Sequence, residues 1–167
     1  TTEEIVKIVG IQMNRVALRL LERRISLFWV DSVVLFLSYA EWDYNGRTQE
    51  LLKVASSLGE LYAFTRGRTQ NGIADNHIIY RKKTFVNYVF QAFSILHKIP
   101  VVDVLFVDNR KAAFVANLIL KQNKIRFVFY DMRELYVKNE VSKFSSKLGC
   151  FFEERFLKKV NAVICAN

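Results

Sequence analysis

The chain has 167 residues, 51% of them hydrophobic and 25% charged, with one Pro and six Gly. That composition excludes a disordered chain, a collagen-like repeat and a Gly/Pro-rich linker, and the length suits one domain or a little more. The formal net charge of +9 favours anionic partners: nucleic acid, an acidic lipid surface or phosphorylated substrates.

Residues 1–31 are read as an amphipathic helical extension. Ile5, Val9, Met13, Val16 and Leu20 fall on one helical stripe, and Arg15, Arg19 and Arg23 on another. Two readings stay open: a helix packed on the domain or a partner, and a basic helix lying on an anionic membrane. Gly10 weakens either helix. The first thirty residues lack a clean apolar core for a secretory signal. The most apolar stretch, Ile25 to Tyr39, is interrupted by Asp31 and is too short to span a bilayer.

Beyond residue 31 short apolar runs alternate with amphipathic ones. Val33-Val34-Leu35-Phe36-Leu37 reads as a strand buried on both faces. A polar and aromatic loop, Tyr39 to Asn45, leads to Gly46. Leu51, Leu52, Val54, Ala55 and Leu58 then recur at helical spacing, and Gly59 ends that helix. Residues 61–65 form a second strand, 66–76 a loop and 77–81 a third, weaker strand. Residues 85–97 form an aromatic helix that Pro100 cannot continue. A strand at 104–107, a helix at 112–122, a strand at 126–130, a helix at 144–160 and a last strand at 162–165 complete the pattern. The expected fold is α/β: a doubly wound, Rossmann-like parallel sheet of about six strands with helices on both faces, plus the N-terminal helix. The expected domains are an extension at 1–31 and a Rossmann-like lobe at 32–167. Ligands of such sheets sit at the carboxyl ends of strands, here near Tyr39–Arg47, Asp108–Arg110 and Asp131–Tyr136.

Several chemistries lack their signatures. No Gly-x-Gly-x-x-Gly follows the first strand, and no phosphate-binding P-loop or Gly-x-Ser-x-Gly elbow is present. His77 and His97 stand alone, and no Cys/His cluster has zinc spacing. Cys150 and Cys165 are too few for a disulfide framework; they fit a reducing compartment and read as small buried apolar residues. Tyr88, Phe90 and Phe93, at helical spacing, read as core rather than as a stacking platform, which disfavours nucleic acid. Arg81-Lys82-Lys83 reads as a solvated run.

A set of weak motifs in a consistent order points further. Gly46-Arg47-Thr48-Gln49-Glu50-Leu51-Leu52 follows the first strand. Asp103 to Asp108 forms a strand with acidic ends. Phe129-Tyr130-Asp131-Met132-Arg133-Glu134-Leu135-Tyr136 follows, and Glu153 to Asn167 ends in an Asn-Ala-Val-Ile-Cys run. Over residues 33–167 this order resembles the N-terminal domain of GT-B glycosyltransferases, in particular the large retaining family (family 4 type) with many bacterial polysaccharide enzymes. Arg47 stands where that family has a second glycine, and Arg133 where it has a histidine.

The resemblance implies an acceptor-side lobe of a hexosyltransferase whose donor-binding C-terminal lobe is absent from these 167 residues. Catalysis would then need both lobes. A nucleotide-sugar would be the co-substrate, reached through the missing lobe, and a glycan or lipid-linked molecule the acceptor. No further cofactor is implied. No metal is implied, since the chain has no Asp-x-Asp. Acceptor or sugar contacts are expected from Asp131, Arg133 and Glu134, with Asp108 and Asn109 behind them. Gly46 and Arg47 would form the cleft turn, and no catalytic residue is assigned. Structural readings of the same residues stay open: Asp108, Asn109 and Arg110 as a strand-to-helix turn in which Asn109 caps the helix, and Asp131 and Glu134 as caps of the following helix or ion-pair partners of Arg133. The expected location is cytoplasmic, with peripheral contact to the inner face of a membrane as an extension. The alternative function is a non-catalytic binding or membrane-tethering module, such as one chain of a two-chain transferase.

Overall fold

The computed structural model describes residues 32–68, 72–73, 75–81, 84–99, 101–122, 125–132 and 144–165. The expected helix within residues 1–31, and Arg133 and Glu134, lie outside the described residues. Six strands form one all-parallel sheet: β1 (Val33–Glu41), β2 (Glu60–Arg66), β3 (His77–Tyr80), β4 (Val104–Asp108), β5 (Phe127–Met132) and β6 (Ala162–Cys165). Their order across the sheet is β3-β2-β1-β4-β5-β6. This is the doubly wound order, with the reversal of direction between β1 and β4. Four helices connect them: α1 (Gly46–Ser56), α2 (Phe85–Leu96), α3 (Arg110–Gln122) and α4 (Phe144–Leu157). The expected α/β fold is the fold observed.

Each strand is apolar on both sides, so the two faces build separate cores. Val34 and Phe36 of β1, Val104 and Phe106 of β4 and Ile164 of β6 face α1, whose Leu51, Leu52 and Ala55 cover them. Leu35, Leu37, Leu105, Val107, Val128 and Tyr130 face the other way. There α2, α3 and α4 supply Tyr88 and Ala92, then Ala112, Ala113, Ala116 and Ile119, then Phe156. The alanines of α3 are fully buried, so small side chains let that helix lie close to the sheet. Tyr88 is the aromatic centre of this second core. Its ring lies 4.7 Å from Phe64, 5.0 Å from Tyr39 and 5.7 Å from Tyr80. Such pairs add roughly 0.5–1.5 kcal/mol each beyond the area they bury.

Several boundaries differ from the sequence expectation, each for a local reason. β1 runs on through Glu41, with an irregular register between Leu37 and Glu41, and a single 3-10 turn (Trp42–Tyr44) replaces most of the expected loop. α1 begins at Gly46, well before the apolar repeat, because Asn45 caps it: its Oδ1 accepts from the Thr48 N–H at 3.1 Å. α4 ends at Leu157. Phe90 is a correction: it is 71% exposed, not core. α2 packs through Tyr88 and Ala92, one turn apart, and the stripe of Val86 and Phe90 points to solvent.

Candidate functional site

The polar row at the carboxyl edge follows from strand register. Ser38 of β1 pairs with Asp108 of β4, and Asp108 with Asp131 of β5. These three residues continue the columns Val34–Phe36, Val104–Phe106 and Phe127–Phe129 by one step, so they share the α1 face. The columns are apolar until the last position and turn polar there. All three are almost completely buried, at 0%, 0% and 2% exposure. Buried carboxylates need partners, and the first turn of α1 provides them. Thr48, itself buried, donates its hydroxyl to Asp108 Oδ2 at 2.7 Å, and Ser38 donates to the same oxygen at 2.8 Å. Arg47 presents a guanidinium fork to Asp131: Nε lies 3.0 Å from Oδ1 and 2.8 Å from Oδ2, and Nη2 donates to Oδ1. The Arg47 side chain remains 33% exposed, so the ion pair lies at the mouth of the edge.

Asn109 follows β4 with a φ of +83°, a left-handed conformation that Asn tolerates better than most residues. The turn lets its side chain work in two directions. Oδ1 accepts from the Ala112 N–H at 3.1 Å and caps α3, while Nδ2 reaches Ser38 Oγ at 3.4 Å. Ser38 Oγ also accepts from the Ala40 N–H at 3.0 Å, and the Ser38 carbonyl accepts from the Tyr88 hydroxyl at 3.1 Å. Burial raises the Tyr88 phenol well above its usual range, so it acts as a fixed donor. The next residue, Arg110, turns toward α4 and donates to Cys150 Sγ at 3.3 Å. Gly149 allows that passage, since a Cβ there would come 3.3 Å from Arg110 Nε. Nearby, the Tyr130 hydroxyl donates to the buried Glu153, and burial followed by this hydrogen bond raises the Tyr130 phenol.

A second polar cluster lies beside the row, between β2 and β3. His77 Nδ1 accepts from the Ile73 N–H at 3.0 Å, so Nε2 carries the hydrogen and donates to Thr65 Oγ1 at 2.7 Å. Both side chains are buried, and the Trp42 ring packs edge-on to the imidazole at 4.9 Å. Desolvation lowers the His77 pKa to about 4. This histidine is neutral at physiological pH and serves as structure.

The structure thus brings together Arg47, Asp108, Asn109 and Asp131 of the residues singled out by sequence. Gly46 begins α1 with open space around its α-carbon. Arg133 and Glu134 lie outside the described residues. Ser38, Thr48 and the Tyr88 hydroxyl join the network without having been singled out. A hydroxyl at the end of an apolar strand and another in the first turn of a helix were the available signals. Chemically, Asp108 and Asp131 are engaged by hydroxyls and a guanidinium, so the row holds the α1 turn rigidly against two strand ends. What it turns outward is the solvent side of the Arg47 guanidinium. Among the described residues no group of three or more His, Cys, Asp or Glu is placed to hold a metal ion. No described helix is long and apolar enough to cross a membrane.

Fold and edge together define a doubly wound, Rossmann-like domain with a polar switch point. No family model matches the chain. The solved structure of sucrose-phosphate synthase from Thermosynechococcus elongatus is similar, with a TM-score of 0.53 over 79% of this chain and 41% of that one, at 14% identity. The likeness speaks to the fold, which is GT-B-like. Sequence similarity points elsewhere. The chain is 50% identical over 95 residues to the chaperone protein ClpB of Chlamydia muridarum, and 79% identical over 79 residues to the ClpB of Chlamydia trachomatis serovar D. Those matches take in 50% and 44% of this chain. The chain spans only about a tenth of the length of these relatives, 11% and 9%.

Proposed function

We propose that the chain is the acceptor-side lobe of a glycosyltransferase that moves a hexosyl group from a nucleotide-sugar to a glycan or lipid-linked acceptor. In that reaction the bond from the sugar to the diphosphate breaks. A bond to the acceptor oxygen forms, and the hydroxyl proton leaves. The observation that carries the reading is the Arg47 fork at the switch point of a GT-B-like sheet, held by buried Asp131. A guanidinium fixed in this way is oriented before any ligand arrives, and its exposed side suits a phosphate or carboxylate. Asp108, Ser38, Thr48 and Asn109 keep the two helix starts in place around it. Such a lobe acts by positioning and electrostatics against a second lobe that carries the donor.

The test uses the full-length protein with a panel of nucleotide-sugars and candidate acceptors. Acceptor-dependent release of a nucleoside diphosphate is expected. Arg47→Lys, which loses the fork, should slow it roughly tenfold or more. Absence of release from every donor, with the protein folded, would remove the reading. A second reading, a non-catalytic binding module, is favoured by the ClpB matches, which join half of this chain to a chaperone. It predicts no turnover in that assay.

A further inference from the structure

We propose that the β3–α2 edge of the sheet docks on an anionic lipid surface. From Asn76 to Val102 the sequence contains no Asp or Glu, while it contains Arg81, Lys82, Lys83, Lys98 and His97. α2 itself has no charged residue along its 12 positions. Basic groups stand at both of its ends: Arg81 before it and Lys98 after it are exposed. The same stretch holds half of the large apolar side chains that the described residues leave in solvent. These are Ile78 at 38% exposure, Val86 at 62%, Phe90 at 71% and Val101 at 78%.

Their placement is coherent. β3 is the edge strand, and Ile78 shares its face with Tyr80, which packs on Tyr88 of α2. Val86 and Phe90 are one turn apart on the outer side of α2. An exposed apolar stripe with cationic ends, and no carboxylate in its own stretch of chain, is the pattern of a helix lying in the plane of a bilayer interface; Glu60, which accepts from Asn76 at 3.4 Å, borders it on β2. The aliphatic side chains favour lipid over nucleic acid, because phosphodiester backbones offer nothing to Val86, Ile78 or Val101. The helix is far too short to span. In a parallel βαβ unit the start of α2 lies at the carboxyl edge of the sheet.

The experiment is flotation of the full-length protein with vesicles of phosphatidylcholine alone, and with about one third phosphatidylglycerol. Binding is expected only to the anionic vesicles, and should weaken as salt rises, since exposed charges are screened over about 8 Å at physiological ionic strength. The paired substitutions Val86→Ser and Phe90→Ser should weaken it at least roughly tenfold. Both positions are exposed, and an unchanged melting temperature will show that the fold is kept. No binding to anionic vesicles would overturn the proposal. So would undiminished binding by the paired variant, which would give the role to residues 1–31. A self-association that the paired variant abolishes, without vesicle binding, would mean a second copy covers this face. Capture of single-stranded RNA in place of vesicles would likewise overturn it.

Discussion

At the scale of single residues the edge is a matter of satisfied donors and acceptors. Asp108 is fully buried and takes hydroxyl hydrogens from both Ser38 and Thr48 on one oxygen. Thr48→Val keeps shape and removes one donor. It should cost about 1–3 kcal/mol, read from chemical denaturation; a loss near zero would mean that water or another group replaces the hydroxyl at no cost. His77 gives a different signature, in pH. Its folded pKa is lowered to about 4 by burial, while an unfolded histidine titrates near 6.5. Above about pH 6.5 both states are neutral, and the group adds no pH dependence. As pH falls through that value the unfolded chain takes a proton that the folded chain refuses, so stability is lost down to about pH 4. The loss is on the order of 3 kcal/mol. A variant with His77→Phe should show a flatter profile over that window, and an unchanged profile would place the imidazole in water.

At the scale of elements, glycines separate structural need from habit. A Cβ on Gly59 would lie 2.0 Å from the Ser32 carbonyl oxygen, whereas one on Gly46 would meet nothing within 4 Å. Gly59→Ala should therefore destabilise by several kcal/mol, as a backbone must move. Gly46→Ala should be neutral or add about 0.5–1 kcal/mol, because alanine suits the first turn of a helix. Thermal melts of the two variants check the pair, and equal effects would break the argument. The same comparison shows what was legible in the sequence. The continuous apolar runs of β1 and β4 gave away their burial on both faces, and the turn after α1 was marked by Gly59. The start of α1 was hidden, because it is set by the Asn45 cap and not by the apolar repeat that begins at Leu51. Phe90 was misread because helical spacing tells which residues share a stripe but not which stripe faces the sheet. Only the position of α2 against the edge strand decides that.

At the scale of the molecule, a row such as Ser38–Asp108–Asp131 joins residues 70 and 23 positions apart, and only strand order assembles it. The sequence offered Arg47, Asp108, Asn109 and Asp131 as separate candidates. Parallel register sets Asp108 beside Asp131, and the first turn of α1 lies over them so that Arg47 meets Asp131 and Thr48 meets Asp108. That assembly also bears on what these residues can do without a second lobe. Asp108 and Asp131 are turned inward and engaged, and the Arg47 guanidinium is the group of this row that meets solvent. A row built this way can orient an anionic ligand. Under the reading proposed above, the donor is held by a second lobe. If that reading holds, these 167 residues by themselves are expected to show no multiple turnover of any nucleotide-sugar, while the full-length protein does. Losing the electrostatic stabilisation of one preorganised donor costs roughly a hundred- to a thousandfold in rate, and a lobe that carries the donor would supply several at once. Rates of diphosphate release for the two proteins, measured side by side with the same acceptors, decide the matter. Turnover by the short chain at a rate within about tenfold of the full-length protein would show that the lobe is self-sufficient, and the two-lobe mechanism would fall.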